Sequence, residues 1–126
     1  MRILIALLLM LSFVSLLFAG AGDGQWLSRV PGKDAARVNP LDQKPDAREA
    51  GSHLFEQHCA SCHGEDGRGK NGKPSLHSEH VAIATPGQLF WLLTNGSLKN
   101  GMPSWSRLPE QQRWAIVAHL KSLDSH

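Results

Sequence analysis

Cys59-Ala60-Ser61-Cys62-His63 is the stretch of this sequence whose residue types and spacing point to a definite chemistry. Two thiols three positions apart stand one helical turn from each other. Both can add to vinyl groups along one edge of a haem, and the adjacent His63 can then turn under the ring and ligate iron. Two other chemistries use such a pair. A dithiol redox centre wants a strand-then-helix context, and no strand is readable here. A zinc site wants four ligands. His77 and His80 could supply more, but zinc would leave His63, beside the second thiol, unexplained. Covalent haem attachment uses all three side chains and is the favoured reading.

Haem iron has two axial positions, and His63 fills one. Met102 is the sole methionine beyond the N-terminal apolar run, and it follows His63 by 39 residues. It lies in Asn100-Gly101-Met102-Pro103-Ser104-Trp105. A core-filling methionine belongs in a periodic stripe. One held between Gly and Pro suits a loop that presents a thioether to iron, which favours the reduced metal. The rivals are histidines. His53 and His58 stand too close to Cys59 to reach the opposite haem face. His77 or His80 could reach it. His119 and His126 read as packing or surface residues.

The elements that must position these groups come from a short and sparse chain. Its 126 residues allow one domain and exclude a large catalytic one. The 13 basic and 11 acidic residues give a formal charge of +2 with no basic stripe, which argues against a nucleic-acid partner. Two cysteines cannot build a disulfide scaffold. Ile3 to Phe18 holds fourteen apolar residues in sixteen positions. With Arg2 before it and Ala19-Gly20-Ala21 after it, this run reads as a secretory signal peptide, residues 1–21. It is short for a spanning helix, though an uncleaved anchor is the alternative. Beyond it the chain keeps two Phe, four Trp and no Tyr, a thin core that wants a cofactor.

Residues 22–45 carry Pro31, Pro40 and Pro45 with little periodicity and read as an arm or loop. Trp26 within it either folds back or anchors a partner, and folding back is preferred. A version of the chain starting near Asp46 is therefore expected to fold and bind haem. From 46 to 126 the pattern is helical. Ala47, Ala50, Gly51, Leu54, Phe55 and His58 share one face, with Asp46 as N-cap. Residues 64–84, with Gly64, Gly67, Gly69, Gly72 and Pro74, read as a loop. Thr85-Pro86 opens a short helix that ends at Gly96. Leu89-Phe90-Trp91-Leu92-Leu93 makes it apolar all round, hence buried or facing the cofactor. Pro109 opens a last helix with Ile116, Val117, Leu120 and Leu123 as its stripe. Trp91 and Trp105 are expected at the haem, and Trp114 in helix packing.

Over Ala50 to Leu123 these motifs together resemble a class I c-type cytochrome, monohaem with His/Met ligation. Gly51 and Phe55 resemble the Gly-x-x-x-aromatic of that family's first helix, which the last helix crosses at Ile116 and His119. The family usually has an aromatic where this chain has His119. Pro74-Ser75-Leu76 resembles the family's Pro-x-Leu. There the Pro carbonyl accepts the imidazole N–H and the Leu packs on haem. Gly101-Met102-Pro103 and Trp105 resemble the methionine loop. The resemblance implies an all-α, compact cytochrome c fold of three to five helices around one covalently bound haem, with an extended N-terminal arm. It implies haem c on Cys59 and Cys62, with His63 and Met102 on iron and Pro74, Leu76 and Trp105 around it.

With both axial positions filled by protein, electron transfer is the first functional expectation and enzymatic catalysis is not expected. The alternative is a haem enzyme or gas sensor in which Met102 is displaced. Redox partners would be a periplasmic dehydrogenase, a respiratory complex or an oxidase. The location would be periplasmic or exported. Uncleaved, the N-terminal segment would give membrane contact and hold the chain at the outer face of the inner membrane.

Overall fold

Ala47, Gly51 and Phe55 return to one side of the chain every fourth residue, and a helix that buries that side is the result. The computed structural model describes residues 24–123. The apolar run Ile3–Phe18, the Ala19-Gly20-Ala21 site and His126 lie outside the described residues. In chain order the elements are a 3-10 turn Gln25–Arg29, α1 Gly32–Ala35, α2 Pro45–His58, α3 Ala60–His63, α4 Glu79–Ile83, α5 Pro86–Asn95, a second 3-10 turn Leu98–Asn100 and α6 Glu110–Lys121. Among the described residues β pairing is limited to two isolated bridges, Lys70 with Lys73 and Ser97 with Met102. The all-α expectation holds.

The frame is the crossing of α2 over α6. A Cβ on Gly51 would run into the Ala115 carbonyl oxygen and come within 2.9 Å of the His119 Cβ. Only glycine lets the two backbones meet there. Phe55, Ile116 and Val117 fill the crossing and are 2%, 1% and 0% exposed. His119 stands at the crossing, at the position where the sequence departs from the aromatic of the resembled pattern. Its ring packs on Phe55 at 5.2 Å between centroids, so an imidazole does the work of an aromatic. Trp114 is a packing residue, stacked on Phe90 at 4.0 Å.

Local signals explain where the helices start. Thr85 Oγ1 accepts from the Gln88 amide while Gln88 Oε1 accepts from the Thr85 amide, a complete capping box. Gly96, at φ 70°, ends α5. Asp46 is not the N-cap of α2. Pro45 takes the first helical position, and Asp46 lies in the first turn, where its charge complements the helix dipole.

Two segments differ from the sequence expectation. Residues 64–84 are not all loop, because Ser78 caps α4 by accepting from the Val81 amide. Lys121 on α6 then donates to the Ala82 and Ala84 carbonyls at 2.7 and 2.8 Å, tying the end of α4 to the last helix. Residues 24–45 are not a bare arm. Leu41 and Asn39 are buried, and Asn39 Nδ2 donates to the Trp114 carbonyl at 2.9 Å. Arg37 pairs with Glu110 at 2.6 Å and lies over the Phe90 and Trp114 rings. Thr85 Oγ1 donates to the Ala35 carbonyl at 2.6 Å. Gly87 lacks the Cβ that would strike the Asp34 carbonyl. The segment docks through polar anchors, which hydrophobic periodicity does not report.

Candidate functional site

α3 continues from the end of α2 with Cys59 as the hinge residue. The thiols and His63 therefore leave the frame together, at the edge of a cavity of about 520 Å³. The wall is mostly apolar. Leu89, Leu92 and Leu93 come from α5, Ile116 and Leu120 from α6, and Phe55 from α2. Leu76 and Val81 close it from the loop and α4. Cys59, Cys62, His63, Pro74, Leu76, Met102 and Trp105 all line this one cavity.

The His63 ring is held in one orientation. Its Nδ1 lies 3.0 Å from the Pro74 carbonyl oxygen, so Nδ1–H donates there and the Nε2 lone pair is the one that could ligate a metal. The loop between them is shaped by Gly69, at φ 90°. A Cβ there would lie 2.6 Å from the Lys73 carbonyl oxygen. Met102 arrives from the opposite side of the sequence, on a closed turn. Ser97 and Met102 exchange backbone hydrogen bonds at 2.9 and 3.1 Å. The Trp105 amide bonds to the Leu93 carbonyl at 2.8 Å, which ties the turn to α5. Trp105 also packs against His58 and lies under the Arg107 guanidinium.

Burial, then repulsion from Cys62, pushes the Cys59 thiol up to about 11. The dithiol alternative wants a strand-then-helix context, and no strand precedes the thiols among the described residues. The zinc alternative loses His77. Its Nε2 lies 2.7 Å from the Asp66 carbonyl oxygen and it does not line the cavity. His80 does line it, as does His58.

Trp91 requires a correction. It is not in the cavity wall. At 100° per residue, Leu89, Leu92 and Leu93 share one side of α5 and Trp91 falls on the other. An all-round apolar helix offered no face to choose between. Sequence reasoning also missed Gln25, Trp26 and Arg29 as cavity residues. They belong to the segment that lacked periodicity.

The donor set suits haem c. Two thiols sit on the rim, an imidazole is oriented by a carbonyl, a thioether stands on a turn, and the wall between them is apolar.

The comparisons with known proteins agree. Residues 46–120 match the family model described as cytochrome c oxidase, cbb3-type, subunit III. The chain is 31% identical over 111 residues to the cbb3-type cytochrome c oxidase subunit CcoP of Rhodobacter capsulatus, covering 79% of this chain and 34% of the relative. It is 34% identical over 64 residues to CcoP of Rubrivivax gelatinosus, covering 50% of this chain and 21% of the relative. It therefore spans about a third or less of the curated relatives it matches. A solved structure, cytochrome CL from the marine methylotrophic bacterium Methylophaga aminisulfidivorans MPT, is similar with a TM-score of 0.58 at 26% identity. That match covers 68% of this chain and 58% of the other. With more than half of its length inside the family model, the chain belongs to the cbb3-type cytochrome c family, as a monohaem class I c-type cytochrome domain of the electron-carrier type whose haem c is bound through Cys59 and Cys62.

Proposed function

We propose that the chain is an exported cytochrome that passes single electrons between redox proteins, with His63 and Met102 as the two axial ligands. Bound haem c supplies a one-electron ferric/ferrous couple. The chain's own residues set its terms. Pro74 holds the His63 ring with Nε2 free, and the Ser97–Met102 turn presents a thioether to the same cavity. With both axial positions filled by protein, no site is left for substrate, and an electron can move with little rearrangement. The placement of His63 and Met102 on one cavity, with the His63 ring oriented by Pro74, carries this reading.

A dehydrogenase or respiratory complex would donate, and an oxidase is a natural acceptor. The matched relatives, titled as subunits of a cbb3-type cytochrome c oxidase, support that choice. The N-terminal run Ile3–Phe18 supports export, to the periplasm or the outer face of the inner membrane.

The test is Met102→Ala in the haem-loaded protein. The oxidised wild type should show the weak long-wavelength band of an iron–sulfur bond. The variant should lose it, show a lower potential and bind carbon monoxide, with haem still covalently held. Met102→His should lower the potential while keeping six-coordination. An unchanged spectrum and potential in Met102→Ala would move the ligand to His80, the histidine rival that lines the cavity.

A further inference from the structure

The family match begins at residue 46, yet residues 24–45 reach the cofactor cavity. Trp26 is half-buried, packs on the core and lines the cavity, and Gln25 and Arg29 line it beside Trp26. The position is built. Gly24 has φ 75°, and a Cβ there would strike the His80 ring on the cavity wall. Further along, Ala35 accepts from Thr85, Arg37 pairs with Glu110 and Asn39 donates to the Trp114 carbonyl. These anchors fix the segment to α5 and α6, elements other than the one that carries the thiols.

Haem brings two carboxylates on the edge opposite its thioether bonds. No Asp or Glu lines the cavity among the described residues, and the side chains that always carry positive charge there are Arg29 and Lys73. Lys73 belongs to the His63–Met102 side, since its Nζ lies 3.3 Å from where a Gly101 Cβ would stand. Arg29 belongs to the segment packed against His80. Its planar fork suits a carboxylate better than an ammonium does.

We propose that residues 24–45 are an internal strap that completes the haem site, with Trp26 covering the ring and Arg29 pairing with a haem propionate. The inference deepens the electron-carrier reading and rests on it. Removing Arg29 takes a positive charge from beside the haem, which disfavours the reduced state. Removing Trp26 lets water reach the ring and favours the oxidised state.

The experiment uses full-length, haem-loaded protein and two readouts, the resonance Raman propionate bending band and the reduction potential. Arg48→Gln, on the exposed side of α2, removes the same charge as a control. Arg29→Gln should shift the band and lower the potential below that of Arg48→Gln. Arg29→Lys should recover the potential and only part of the band position. Trp26→Ala should lower the potential, and Trp26→Phe should restore it. If Arg29→Gln yields no folded protein, the Raman band of Arg29→Lys decides alone. A band that moves supports the pairing, and an unmoved band overturns it. Arg29→Gln matching Arg48→Gln in both readouts overturns the Arg29 assignment, and Trp26→Ala matching wild type overturns the cover. Neither result touches the axial ligands, whose failure would show separately in Met102→Ala.

Discussion

At Gly51, α2 lies directly against the Ala115 carbonyl of α6, with no room for a methyl group. Both partners are backbone or nearly so, and neither can rotate away. Any side chain at 51 must push the helices apart and disturb Phe55 and Ile116 beneath the crossing.

Gly51→Ala is therefore expected to cost about 1–3 kcal/mol, the range for overpacking a filled core. Urea unfolding of the haem-loaded protein measures it. A midpoint equal to wild type would mean that the helices separate freely.

The thioether bonds make their own prediction. Haem should stay with the polypeptide through acid-acetone extraction and denaturing gels. Cys59→Ala or Cys62→Ala should leave little stable holoprotein, because the covalent cofactor would fill the cavity walled by α2, α5 and α6. Haem recovered in the organic phase from wild type would contradict the attachment.

His119 sets a pH dependence. Burial, followed by the nearby His77, lowers its pKa, while Glu56 opposes the shift. The folded state thus binds a proton less readily than the unfolded chain. Its contribution to stability is complete above the unfolded value of about 6.5 and is lost as pH falls below that toward the folded value. Melting temperature should fall from pH 7 to pH 5, and His119→Phe should flatten that slope. An identical slope in the variant would assign the effect elsewhere.

The strap's anchor is testable through Asn39. Its amide donates to the Trp114 carbonyl, and its Oδ1 accepts from the Leu41 amide. Asn39→Ala leaves the Leu41 amide without its partner and takes one donor from the Trp114 carbonyl, at about 1–3 kcal/mol. A chain cut to begin near Asp46 loses this bond and the burial of Leu41, and should unfold at lower denaturant while keeping covalent haem. If it fails to fold at all, the strap is part of the folding core.

Trp91→Phe, by contrast, should leave the visible spectrum and potential unchanged, since Trp91 stands outside the cavity wall.

The site was more legible in the sequence than the fold around it. Cys59, Cys62 and His63 must be neighbours for one cofactor to use them, so their relation survives as a string. Met102 stood out because Gly101 and Pro103 restrict the backbone around it, and Pro74 stood out only through the resemblance of Pro74-Ser75-Leu76 to a family motif. Of the strap only the fold-back of Trp26 was readable, and its polar anchors were not. Asn39 and Trp114 are 75 residues apart, and a single amide-to-carbonyl bond leaves no periodic trace. α4 did carry a signal, Ser78 followed by Glu79, but it was submerged among the glycines of the preceding loop. Trp91 failed for the opposite reason, since five consecutive apolar residues make every side of a helix look buried.

The paired backbone bonds between Ser97 and Met102 bear on kinetics as well as on structure. They close the turn through main-chain atoms alone, so its shape does not depend on what the thioether touches. On the proposed His63/Met102 ligation, a sulfur carried on such a turn would return to the metal as a tethered group, at an effective concentration no dissolved molecule matches. Small competing ligands would then be limited by how rarely the tether lets go, and their binding rate should level off as their concentration rises.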